Sequence, residues 1–99
     1  MTLTVALRPA ARADLDAIWD YTVTTWSQDQ AVTYLGGLGQ VFEKLAQFPE
    51  MARLRDEFTP AVRIMPYQRH LVIYTADDTT LDVIRVVHSK ANWAALLAD

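Results

Sequence analysis

A chain of 99 residues, 52% apolar and 10% aromatic, has enough surface to bury for one modest core, which excludes a disordered chain. A net charge of −3 argues against a dedicated non-specific nucleic-acid binder, which would be basic. Without cysteine there are no disulfides and no thiolate chemistry. No apolar run approaches the ~20 residues of a bilayer crossing. The N-terminal MTLTVALRP has neither a basic segment ahead of its apolar stretch nor a cleavage pattern, so no signal peptide is read. These features fit a single cytoplasmic domain over residues 1–99 with no membrane contact. Its charge is uneven. Residues 1–51 hold three basic and six acidic residues, whereas residues 52–99 hold six of each, among them Arg53, Arg55, Arg63 and Arg69.

Leu3, Val5 and Leu7 alternate with Thr4 and Ala6, which predicts a short first strand. Arg8-Pro9 ends it, and Pro9 suits the first turn of a helix. Ala11, Leu15, Ile18, Trp19, Thr22 and Trp26 then recur at helical spacing, with Asp14, Asp16 and Asp20 largely off that stripe. Asp14 and Asp16 are expected to favour the positive helix N-terminus. Ser27 predicts the N-cap of a second helix, with Asp29 in its first turn. That helix has the cleanest stripe in the chain: Ala31, Tyr34, Leu35, Leu38, Val41, Phe42, Leu45 and Phe48, stopped by Pro49. All three glycines, Gly36, Gly37 and Gly39, fall inside it. Each costs about 1 kcal/mol against alanine, and the expected return is room for the tryptophans of the preceding helix. A phosphate-binding reading of GGLG fails, since no strand precedes it and no Lys-Ser/Thr follows. Trp19, Trp26, Tyr34 and Phe42 are expected in the core.

Beyond a polar connection the period changes to two. Ala61 to Met65, Arg69 to Thr75 and Leu81 to His88 read as three strands, with turns at Pro66-Tyr67-Gln68 and Ala76-Asp77-Asp78-Thr79. Short links make them antiparallel neighbours. Trp93, Leu96 and Leu97 predict a short closing helix capped by Ser89. The expected architecture is α+β, in the order β-α-α-β-β-β with an optional last helix: a helical hairpin on one face of a small, mainly antiparallel sheet.

The last strand, DVIRVVHS, carries the chemistry. Strict alternation puts Leu81, Val83, Arg85 and Val87 on one face and Asp82, Ile84, Val86 and His88 on the other. Both faces are largely apolar, so the helical hairpin covers one and the C-terminal tail, another chain, or both must cover the second. An arginine there is either paired internally or lines a groove that a partner fills, because an uncompensated buried charge is costly. His70 and His88 are the only histidines and show no metal-ligand spacing. His88 and Ser89 are sequence neighbours on an extended chain, so they are poorly placed for proton transfer. A cluster of His88, Lys90, Arg63 and Arg69 around an RNA phosphate is the alternative that would make the protein a catalyst. Trp93 either packs the tail on the sheet or belongs to a partner surface, and Tyr74 reads as a strand packing residue. No cofactor site is read.

Four segments together resemble the ParE toxins of the RelE/ParE superfamily of type II toxin–antitoxin modules. They are A-x-x-DL-x-x-IWDYT (Ala11 to Thr22), L-A-x-F-P (Leu45 to Pro49), R-x-x-P-Y-x-x-H-x-x-x-Y (Arg63 to Tyr74) and R-V-V-H (Arg85 to His88). The resemblance runs from about residue 3 to residue 97 and implies the element order above. It implies a toxin that poisons DNA gyrase without being an enzyme, neutralised by a ParD-like antitoxin through which alone the complex contacts DNA. In RelE-like members the same scaffold is a ribosome-dependent mRNA endonuclease. On that alternative His88, Lys90 and Arg63 would be catalytic; a third outcome is an inactive toxin retained as antitoxin partner and co-repressor. By position, Arg85 and His88 match the ParE-type signature, while Lys90 and Asn92 stand where related tails commonly have arginine and aspartate. Arg63, Arg69, Arg85, His88, Lys90 and Trp93 are the candidates for contacting antitoxin or target.

Overall fold

The computed structural model describes residues 2–97. Strand β1 (Thr4–Leu7) ends where Arg8 holds an extended conformation, and Pro9 opens helix α1 (Pro9–Thr25). The Pro9 ring presets a helical φ, and its missing N–H is one the first turn cannot use. Helix α2 (Gln28–Gln47) starts as the sequence indicates: Ser27 Oγ accepts the Gln30 N–H at 3.0 Å, with Asp29 in the first turn and Lys44 in the last. Pro49 stops it and begins a 3-10 turn (Pro49–Met51). Strands β2 (Leu54–Arg55), β3 (Val62–Tyr67), β4 (His70–Ala76) and β5 (Thr80–His88) follow, then helix α3 (Trp93–Leu97).

The five strands form one sheet in the order β1-β5-β4-β3-β2. β1 lies parallel to β5, and the remaining pairs are antiparallel. The α+β architecture is therefore as expected, with three differences of detail. The two-residue β2 lies in what reads as polar connection. β3 runs on to Tyr67, so the β3–β4 hairpin turns on Gln68-Arg69 alone, with Gln68 at φ 50°. The third is α3, which begins at Trp93, too far from Ser89 for that residue to cap it; Ser89 donates instead to the Arg69 carbonyl at 2.8 Å.

The helices pack over one face of the sheet. Ile18, Leu38, Phe42 and Leu45 meet Val72, Tyr74, Leu81, Val83 and Val86 there. Each such side chain contributes roughly 1.5–3 kcal/mol by leaving water. Val62, Ile73 and Val87 point to the opposite face, under Phe58, Trp93 and Leu97. The tail thus supplies cover for the second face. Strict alternation fails in β5 because of a bulge: Ile73 pairs with Arg85 but Tyr74 pairs with Val83, leaving Ile84 as the extra residue. One inserted residue reverses the faces beyond it. Val86 consequently joins Leu81 and Val83 on the helix side, while Ile84 and Val87 share the other.

Two further expectations are corrected. Trp26 is not core but 62% exposed, and Trp19 and Tyr34 are only partly buried; Phe42 alone of the four aromatics is buried. The glycines do not make room for tryptophans either. Gly36 and Gly39 have open space where a Cβ would stand, whereas a Cβ on Gly37 would run into Tyr67, whose Cζ would lie 2.8 Å away. Gly37 is the place where a sheet tyrosine meets the helix backbone.

Candidate functional site

β1 ends one residue before α1 begins, so it pairs with β5 only as far as Val83. Among the described residues no strand lies beside the outer edge of β5 from Val86 onward. Asp14, one and a half turns into α1, reaches across instead. Its Oδ2 accepts the Val86 backbone N–H at 2.9 Å and the Arg85 Nε–H at 2.7 Å, and its Oδ1 accepts from Arg85 Nη2 at 2.9 Å. This is the internal partner for Arg85, with 29% and 14% of the two side chains exposed. The Asp14 hydrogen bonds hold the Arg85 pKa above its ordinary value. Asp14 therefore does not serve the helix N-terminus; it fixes α1 to the sheet edge.

Between α1, the start of α2 and the end of β5 lies a cleft of about 630 Å³, flanked by Tyr21, Trp26, Tyr34, Val86 and Leu96. Tyr21 is 66% exposed and Trp26 62%, although both are large and apolar-bodied. Its polar end is built on the cross-strand pair His70 and His88. Their rings meet edge to face with centroids 5.4 Å apart. The Tyr34 hydroxyl lies 2.7 Å from His70 Nδ1, and the Lys90 backbone N–H donates to His88 Nδ1 at 3.1 Å. Burial, and next the neighbouring His88, push the His70 imidazole below its ordinary value, favouring the neutral ring. Burial likewise raises the Tyr34 phenol, against an opposing contribution from the Arg69 backbone N–H. Gln68 and Arg69 line the rim. A left-handed conformation is uncommon for a non-glycine residue, and this one presents two polar side chains at the mouth.

Of the candidate residues read from sequence, Arg69, Arg85 and His88 come together in this cleft. Lys90 adjoins it through its backbone bond to His88. Arg63 is elsewhere: it pairs with Tyr74, four residues along β4 from the His70–His88 pair, and donates to the Ala52 carbonyl at 2.6 Å. Trp93 sits on the opposite sheet face, its ring 5.9 Å from that of Phe58 and the Arg55 guanidinium 5.9 Å from its centroid. Arg63 and His88 are thus not assembled around one phosphate. Sequence reasoning did not place Tyr21, Trp26 and Tyr34 here, because a helical stripe does not show which turns lie beyond the sheet edge. His70 was visible only as one of two histidines; its facing position against His88 required the register. Among the described residues, no three His, Cys, Asp or Glu side chains are grouped to hold a metal ion, and no helix is long and apolar enough to cross a membrane.

Comparison with known proteins places this geometry. A solved structure described as a chromosomal ParDE TA system from P. aeruginosa superposes with a TM-score of 0.75, covering 88% of this chain and 96% of that one at 19% identity, which establishes the shared fold. Toxin ParE1 of Mycobacterium tuberculosis (strain H37Rv) is 38% identical over 85 residues, 85% of this chain and 87% of that protein. Toxin ParE1 of Caulobacter vibrioides is 32% identical over 87 residues, 88% of this chain and 90% of that one. The model of the ParE toxin family of the type II toxin–antitoxin system parDE matches residues 5–93. With the family model spanning the sheet and both long helices, the chain belongs to the ParE toxin family of type II toxin–antitoxin systems.

Proposed function

We propose that this toxin acts in the cytoplasm by binding DNA gyrase and blocking replication, and that a ParD-like antitoxin neutralises it by seating an apolar-faced segment in the cleft beside α1. The observation that supports the antitoxin's seat is the cleft itself: exposed Tyr21 and Trp26 flank apolar walls on Ile18, Val86 and Leu96. Large exposed apolar side chains around a concavity mark a binding surface, and an amphipathic helix or an extended strand fits such a groove. On this reading the toxin works by binding, contacts DNA only through the antitoxin complex, and needs no catalytic residue. The separation of Arg63 from His88 supports binding over ribonuclease chemistry.

Pulse-labelling of DNA and protein synthesis in the first minutes after inducing this chain alone tests the target. DNA synthesis stalling first, with a damage response, is expected. Translation stopping first would overturn the gyrase reading in favour of a ribosome-dependent nuclease, and no arrest at all would mean an inactive toxin retained as antitoxin partner. For the seat, Ala17→Arg puts a bulky charge on an exposed lining position. It is expected to weaken antitoxin binding with the fold intact.

A further inference from the structure

The two histidines of the cleft are usually ambiguous groups: each neutral ring carries its proton on either nitrogen, and each is a potential metal ligand. Here the surroundings remove the ambiguity. The Lys90 backbone N–H can only donate, so the His88 Nδ1 it points to must be an acceptor, 3.1 Å away. The neutral His88 ring therefore carries its proton on Nε2. For His70 the partner is the Tyr34 hydroxyl at 2.7 Å. Among the described residues His70 Nδ1 is the one hydrogen-bond partner of that hydroxyl, so the phenol O–H donates to it. His70 then also carries its proton on Nε2. A metal ion at either Nε2 would need the opposite tautomer, so the pair is a donor set, not a ligand set.

Two N–H donors on rings 5.4 Å apart, with Arg69 at the same end of the cleft, define a receptor for a group with two acceptor oxygens and negative charge. Among the described residues no ion pair engages Arg69, and the one carboxylate lining the cleft, Asp14, is committed to Arg85 and Val86. The geometry points to a carboxylate-binding subsite: His70 Nε2–H, His88 Nε2–H and the Arg69 guanidinium together receive one carboxylate of the peptide segment that fills the cleft. The subsite rests on the cleft being the antitoxin's seat and adds what the occupant must present there, an acidic group at the end of its apolar face. Apolar contact along Tyr21 and Trp26 supplies area, while this group fixes register and direction. A chain with an amide at that position offers one acceptor and sets its NH2 against the remaining donors, and one with lysine sets a like charge there, so both are rejected.

The test uses the full chain and its ParD-like antitoxin. Each Asp and Glu of the antitoxin's toxin-binding segment is changed singly to Asn or Gln, and its last residue is amidated in a separate arm. Affinities are measured for the unmodified chain and for His70→Leu/His88→Leu. One carboxylate is expected to matter by about ten- to a hundredfold with the unmodified chain and by less than about threefold with the double variant. His88→Gln, which retains an N–H near the place of Nε2, is expected to restore most of the loss seen in His88→Leu. A loss on side-chain change assigns an internal Asp or Glu, and a loss on amidation assigns the terminal carboxylate. If no carboxylate couples to the histidines although Ala17→Arg weakens the complex, the subsite is overturned and the seat stands; if Ala17→Arg leaves binding unchanged, the seat itself is wrong. Independently of any antitoxin, two-bond 1H–15N spectra of the free chain are expected to show both rings protonated on Nε2. A proton on Nδ1 of either ring would overturn the assignment.

Discussion

Gly37→Ala sets helix propensity against tertiary fit at one atom. Propensity alone makes Ala better than Gly by about 1 kcal/mol inside a helix. At Gly37 the new methyl would collide with the Tyr67 ring, Cζ being 2.8 Å away, so the ring must swing out. That movement breaks the Tyr67 O–H bond to the Tyr34 carbonyl at 3.3 Å, a loss of about 0.5–1.5 kcal/mol. It also parts the edge-to-face Tyr34–Tyr67 pair, whose centroids are 5.1 Å apart, for a further ~0.5–1.5 kcal/mol. An off-rotamer tyrosine adds another ~0.5–1.5 kcal/mol. Set against the propensity gain, the net is a destabilisation of roughly 0.5–3.5 kcal/mol, or several degrees in Tm for a domain this size. Gly36→Ala and Gly39→Ala meet nothing within 4 Å and keep the whole propensity gain. Denaturant titration of the three single variants is therefore expected to show two stabilised proteins and one destabilised one. Equal stabilisation at all three positions would refute the claim that Gly37 is kept for Tyr67.

Asp14→Ala strands both Arg85 and the Val86 N–H at a partly buried edge, so a loss of about 2–4 kcal/mol is expected. Asp14→Asn, which keeps an acceptor for Val86, should recover part of it in the same titration. Tyr21→Ser and Trp26→Ala remove exposed side chains and should change stability by no more than about 0.5–1 kcal/mol while lowering antitoxin affinity at least about tenfold, as read by calorimetry. Folding lowers the His70 pKa from its ordinary 6.5, so below that value the unfolded chain binds more protons than the folded one. Stability is then expected to fall as pH drops from about 7.5 to about 5.5, and the slope should be shallower in His70→Gln when the two chains are compared by urea titration.

Elements whose cause lies in adjacent residues were legible in the sequence. Pro9, Ser27 and Pro49 mark the helix boundaries by local chemistry, and the change of period after α2 announces the strands. What stayed hidden depends on residues far apart. The two-residue β2 has too little length to show a period, and the Ile84 bulge is a property of a strand pair rather than of one strand. Gly37 could not be matched to Tyr67 without knowing that the β3–β4 hairpin lies across α2. The same holds for the site. Sequence alone leaves Arg85 open between an internal partner and a groove, and it has both: Asp14 holds it, at a wall of the cleft. Trp26 and Tyr34 look like core because helical spacing reports a face, not whether the sheet extends far enough to cover it.

The bulge at Ile84 makes the chain's final stretch a matter of counting. Were Ile84 instead paired in regular alternation, shifting the rest of β5 by one position on β4, every side chain after it would change sides. Val86 would leave the helices, Val87 would leave the seat of Trp93, and His88 would turn away from Tyr34 and His70. Setting one apolar residue aside as a bulge, with no partner of its own on β4, thus keeps the cleft wall and the tail's anchor from exchanging places. Aligning this chain with a relative by closing a gap there would preserve sequence similarity while exchanging inside for outside, and any site residue transferred past that point would land on the wrong surface.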